Sequence, residues 1–132
     1  MTILVLSSAG IAFACPNLSG EYWAQGEDGR TGYVISQKGC SSAAITGDSS
    51  YLGKELKYTL QIKTDGVSRR SAVGLFGEKD VDVAAKFEGK TLIVDHGNHS
   101  TSFELDKAGN LLIDGTVFEK SDLNMENAHD SN

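Results

Sequence analysis

The sequence predicts an all-β fold, an antiparallel up-and-down meander of eight or nine strands closing into a barrel, with a two-sheet sandwich as the alternative arrangement. Three observations carry this. Residues 81–120 read as four strands joined by three tight turns whose registers agree. Residues 56–63 alternate strictly between apolar and polar side chains. The chain of 132 residues has one proline and no helical period longer than a turn. Sequential hairpins with one apolar face close most economically into an up-and-down barrel, because closure removes the exposed edges.

In chain order, the first strand is expected over Asn17 to Ala24, followed by a two-residue hairpin at Asp28-Gly29. That turn would set Glu27 opposite Arg30, Ala24 opposite Tyr33 and Tyr22 opposite Ile35. Tyr22, Ala24, Tyr33 and Ile35 then share one face and Trp23 and Val34 the other, with the inner face still open. The second strand ends near Lys38-Gly39-Cys40-Ser41, Ser42 to Thr46 forms a short third, and Gly47 to Lys54 is expected as a polar loop. In the next strand Leu56, Tyr58, Leu60 and Ile62 point inward and Lys57, Thr59, Gln61 and Lys63 outward. Thr64-Asp65-Gly66-Val67 turns the chain into Ser68 to Val73, and Gly74-Leu75-Phe76-Gly77 reads as a loop with exposed apolar residues.

In the meander, a turn at Glu88-Gly89 pairs Phe87 with Lys90, Ala85 with Leu92, Val83 with Val94 and Val81 with His96. The Gly97-Asn98 turn pairs His96 with His99, Val94 with Thr101 and Leu92 with Phe103. A three-residue loop ending in Gly109 pairs Leu105 with Leu111, Phe103 with Ile113 and Thr101 with Gly115. One face then collects Val81, Val83, Ala85, Phe87, Leu92, Val94, Phe103, Leu105, Leu111, Ile113 and Val117. A slip of one residue would turn a strand over, so agreement across three turns favours these registers.

Composition excludes some functions. A formal net charge of −6, with Arg69-Arg70 as the only basic pair, is wrong for a nucleic-acid or anionic-membrane binder. Residues 3–14 carry the apolar core and Ala-x-Ala exit of a secretory signal, although Met1-Thr2 lacks a positive charge; an apolar N-terminal strand is the alternative. The expected organisation is a signal peptide over 1–14, a barrel domain over 15–120 and a disordered acidic tail over 121–132, in a secreted or periplasmic protein. Twelve apolar and small residues are too few to span a bilayer. Cys15 and Cys40 are the only cysteines, and a disulfide between them is favoured over lipidation of Cys15.

At Asn17-Leu18-Ser19-Gly20-Glu21-Tyr22-Trp23 the chain resembles the first strand of lipocalin-like (calycin) proteins, where Gly-x-Trp opens the barrel. Here Gly20-x-Tyr22 takes that spacing and Trp23 follows one place later. The Thr-Asp-Tyr loop and late Arg of that family have no counterpart. Avidins begin similarly, but their biotin pocket uses several tryptophans and this chain has one. The closest overall likeness is to small exported bacterial lipocalin-like domains, which implies the barrel and leaves the ligand open.

Candidate sites follow from placement. If residues 68–73 form a strand, Arg69 and Arg70 take opposite faces, so one points inward and needs an anionic partner, either an internal carboxylate or a ligand's carboxylate or phosphate. Both would be solvated if the segment is an edge. Tyr33, Tyr58 and Phe103 complete the expected ligand-binding set on the inner face, and core packing competes with that role for each. His96 and His99 face each other across a hairpin, where two imidazoles could hold Zn²⁺ or Cu²⁺; no third ligand is evident, so a polar hairpin tip is preferred and no metal site is assigned. Leu75 and Phe76 suit a lid, a protein contact or a loop folded onto the core. No catalytic constellation stands out and no cofactor is implied. The expected function is non-catalytic binding of a small, partly apolar molecule in the lumen by a monomer, with an interaction or inhibitor module acting through its loops as the alternative. An enzyme using His96 or His99 comes third.

Overall fold

The computed structural model describes residues 15–26, 29–97 and 99–121. The expectations for 1–14, for Glu27, Asp28 and Asn98, and for 122–132 lie outside the described residues. Among these residues are ten strands: β1 (Gly20–Gln25), β2 (Gly29–Lys38), β3 (Ser42–Tyr51), β4 (Lys54–Lys63), β5 (Arg69–Val73), β6 (Lys79–Glu88), β7 (Thr91–Asp95), β8 (Ser100–Leu105), β9 (Leu111–Ile113) and β10 (Thr116–Lys120). All pairings are antiparallel, and the single sheet has the order β4-β3-β2-β1-β10-β9-β8-β7-β6-β5. Only β1 with β10 pairs strands distant in sequence. The sheet curls until its edges, β4 and β5, approach without pairing, giving a nearly closed up-and-down barrel rather than a sandwich.

Two meander turns carry the expected register, with Val94 opposite Thr101, Leu92 opposite Phe103, Phe103 opposite Ile113 and Leu105 opposite Leu111. Two hairpins are shifted by two residues. Tyr22 pairs with Tyr33 rather than Ile35, and Ala24 with Thr31, because the first loop is longer: Gln25 pairs with Arg30, and Gly26 N–H donates to the Gly29 carbonyl at 2.7 Å. Phe87 pairs with Leu92 and Ala85 with Val94, because Gly89-Lys90 is the turn. Gly89, at φ 62°, takes the first loop position, where a type II′ turn demands positive φ. A shift of two returns every side chain to its original face, so the inner set survives.

Two further corrections follow, of which the first adds a strand and the second lengthens one. The expected strand from Leu111 to Phe118 is broken by Asp114-Gly115, whose φ of 51° and 88° suit a type I′ turn. Gly115 is thus not opposite Thr101; Thr116 pairs with Ile113 and Phe118 with Leu111. The turn exchanges the faces beyond it. Val117, expected inside, is 47% exposed, while Phe118 packs against the core with its ring edge-on to Tyr33 at 5.5 Å. Likewise β3 runs on to Tyr51 where a polar loop was expected, and Leu52-Gly53 makes the turn at φ 50° and 82°. Leu56 has inward parity but is 57% exposed, because β4 is a sheet edge there.

Tyr22, Leu60, Leu92, Phe103 and Leu111 lie wholly out of solvent in one cluster, each such burial contributing about 1.5–3 kcal/mol before entropy. Tyr22 settles the inner face of β1. Trp23 takes the outer one, its ring over Gly32 on β2 and beneath the Arg30 guanidinium at 4.1 Å. Two leucines from irregular segments complete the core from opposite ends. Leu18, fully buried, sits in the segment before β1, held where Gln37 Oε1 accepts its N–H at 2.9 Å and Tyr22 Oη donates to its carbonyl at 2.8 Å. Leu75 is 1% exposed and folds in from the β5–β6 loop, the core-packed alternative for that loop, while Phe76 stays 48% exposed. The Cys15–Cys40 disulfide forms as expected, displacing the lipidation alternative, and fastens the Leu18 segment to the β2–β3 turn. The lumen in which a ligand was expected, whose openness the sequence left undecided, holds a cluster of buried apolar side chains with a leucine toward each end.

Candidate functional site

The seam between β4 and β5 arises from the path of the chain. Beyond Lys63 the backbone crosses directly to β6: Asp65 bridges Lys86, and Gly66 N–H donates to the Ala85 carbonyl at 2.7 Å. Strand β5 then follows β6, with Arg69 opposite Val83 and Arg70 opposite Asp82, so β4 pairs with β3 on one side and has no ladder partner on the other. Toward the other end of the barrel the Tyr58 hydroxyl donates to the Leu75 carbonyl at 2.6 Å and ties the two sides together.

This seam holds a cleft of about 390 Å³. One wall is the outer face of β2, β3 and β4, where the register aligns Lys38, Ser42 and Lys63 in one row and Ser36, Ala44 and Gln61 in the next. Arg69, Arg70 and Ser71 of β5 form the opposing wall, and nearly buried Ala43, Ile62 and Val83 supply apolar surface between them. Four of the chain's twelve Lys and Arg residues line this space, and no carboxylate does.

Both arginines reach solvent, which is the edge alternative rather than the inward guanidinium. Arg69 does share the face of Val83, yet the absent β4 ladder leaves that position open, and its side chain is 44% exposed. Its guanidinium grips Asp65 with two hydrogen bonds of 2.8 and 2.7 Å. That contact, with the Val67 N–H, holds the Asp65 carboxyl well below the usual carboxylate range, and Asp65 in turn raises Arg69. Arg70 Nε donates to Asp82 Oδ1 at 2.9 Å on the outer surface.

The other expected ligand contacts lie elsewhere. Phe103 is a fully buried core residue. Tyr33 is buried against Phe118, and Tyr58 packs its ring over Gly47, where an added Cβ would meet it at 2.4 Å. Burial raises both phenols, Tyr58 the more strongly with Tyr33 beside it. Lys38, Ser42 and Lys63 were not singled out from the sequence. Their signal was the outward parity of each strand, which becomes a cluster only once two hairpin registers are known.

A second cavity, of about 460 Å³, lies beside His96, His99, Glu78 and Asp82. The two imidazoles meet as expected, stacked at 4.7 Å and 14°, with Phe76 continuing the stack at 5.7 Å from His96. Near-parallel rings do not converge their nitrogens on one ion, and no group of three ligating side chains occurs among the described residues. His96 Nε2 lies 3.3 Å from the Thr101 hydroxyl, its buried Nδ1 lacks a partner, and burial, then His99, lowers its pKa.

No helix among the described residues is long and apolar enough to cross a membrane. No family model, curated protein or solved structure matches the chain.

Proposed function

We propose that this protein is an exported, lipocalin-like binding domain that takes up a small, partly apolar molecule without chemistry, at the seam cleft rather than in a lumen. The observation that carries this is the cleft itself, where apolar Ala43, Ile62 and Val83 lie beside polar and cationic walls in an otherwise packed barrel. Binding pockets commonly combine apolar surface with a few placed polar groups. The disulfide supports an oxidising compartment, and the barrel accords with the lipocalin-like likeness of the first strand.

Native mass spectrometry of protein purified from its source tests the reading. A co-purified small molecule is expected, and an Ala44→Trp variant, which places bulk in the cleft wall, should lose it. Retention of the molecule by that variant, or a wild type that neither carries nor takes up one, would remove the proposal. A second reading, an interaction module, draws support from Leu52 and Leu56, 67% and 57% exposed on the β3–β4 hairpin. Loss of a protein partner on Leu52→Ser and Leu56→Ser, with the cleft unaffected, would favour it.

A further inference from the structure

We infer that the occupant of the seam cleft is anionic and that Lys38, Ser42 and Lys63, rather than the arginines, hold its charged end. This rests on the cleft being a small-molecule site.

Lys38 pairs with Ser42, and Ser42 with Lys63, so the three stand side by side on adjacent strands. Neighbouring strands are about 4.8 Å apart, which sets the Ser42 hydroxyl between two lysine stems roughly 10 Å apart at the backbone. Two flexible ammonium groups can close on an anion from either side while the hydroxyl donates from the middle. The ion pairing separates these cations from the others in the cleft. Arg69 is engaged by Asp65 and Arg70 by Asp82, whereas neither Lys38 nor Lys63 takes part in any ion pair among the described residues. Like charges gathered without a counterion repel one another, and an incoming anion relieves that repulsion as well as forming new contacts.

The apolar surface beside this row then defines the rest of the molecule. A carboxylate or phosphate monoester carrying a hydrocarbon chain or ring would place its head on the lysine row and its body against Ile62 and Val83. Asp65 and Asp82 neutralise the opposing wall, so the lysine row bears the uncompensated charge.

Calorimetric titration of the intact chain with dodecanoate, dodecyl phosphate, dodecanol and inorganic phosphate, the dodecyl compounds below micellar concentration, tests the assignment. Both dodecyl anions should bind about tenfold or more tighter than dodecanol, an advantage that added salt erodes. A Lys38→Gln/Lys63→Gln double variant should bring that ratio near one while leaving dodecanol unchanged; these exposed side chains make the fold insensitive to the exchange. A variant that removes both opposing ion pairs whole, Arg69→Gln/Asp65→Asn/Arg70→Gln/Asp82→Asn, keeps that wall's net charge and should retain the preference. Equal binding of alcohol and acid by the wild type, or a preference that survives loss of the lysines, overturns the inference while leaving the cleft as a binding site. Lysine-dependent binding of inorganic phosphate alone would uphold the anchor and overturn the amphiphile reading. If no probe binds, both fall.

Discussion

Tyr58 and Leu75 join two parts of the molecule that the sheet leaves apart: the hydroxyl on edge strand β4 donates at 2.6 Å to the carbonyl of the residue that plugs the core from the β5–β6 loop. A Tyr58→Phe variant keeps the ring over Gly47 and loses the hydroxyl's bond to Leu75 together with its contact to Tyr33. It should cost about 1 kcal/mol in urea unfolding and speed amide exchange through residues 74–78. Unchanged exchange in that loop would show that the hydroxyl does not anchor it.

Leu18 is the plug at the opposite end. Leu18→Ala should destabilise by about 2–5 kcal/mol, because the site is fully buried and the residues around it are held by the β1–β2 ladder. Reduction of Cys15–Cys40, which closes a loop with a sequence separation of 25, should cost on the order of 3 kcal/mol in the same assay. The two effects should combine less than additively, since both release the same segment.

At Asp114-Gly115 the backbone makes the turn that separates β9 from β10, with Gly115 at φ 88°. Gly115→Ala should lose about 1–2 kcal/mol, since an L side chain is strained in that conformation. Contacts between Ile113 and Thr116 in nuclear Overhauser spectra would verify the pairing. Contacts between Thr101 and Gly115 would instead restore the single long strand.

Stability should depend on pH through His96. Its pKa is lowered from the ordinary 6.5, chiefly by burial and then by His99, so the unfolded chain binds the proton more tightly. The favourable contribution is full above about pH 6.5 and declines as pH falls from there through the folded value. Urea midpoints between about pH 7.5 and 5 should fall, and His96→Gln should flatten that segment. A separate loss belongs to Asp65, whose lowered pKa makes its contribution vanish only in more acid solution, below the ordinary 3.8. An undiminished slope in His96→Gln would assign the dependence to other groups.

Much of the fold was readable from the sequence because hairpin arithmetic is forgiving in steps of two. Placing the turn at Glu88-Gly89 instead of Gly89-Lys90 moved every partner of β6 and left every face intact. Reading through Asp114-Gly115 was costlier: a turn missed inside a strand reverses parity beyond it, which exchanged Val117 and Phe118. The direction of the arginines stayed open for a different reason. Parity assumes a neighbour on each side, and an unpaired edge is a property of the whole sheet that no local pattern records. The lysine row was beyond reach for the same cause, since Lys38 and Lys63 are 25 positions apart and adjoin Ser42 only after two hairpins have formed.

The lone ladder between β1 and β10, with Tyr22 opposite Lys120 and Trp23 opposite Glu119, also differs from the rest in what it costs to form. Every other ladder links consecutive strands and can form while the chain between them is short, at small entropic expense. Joining the first strand to the last closes a loop spanning nearly the whole domain. Of all the ladders, this one carries the largest loop-closure cost.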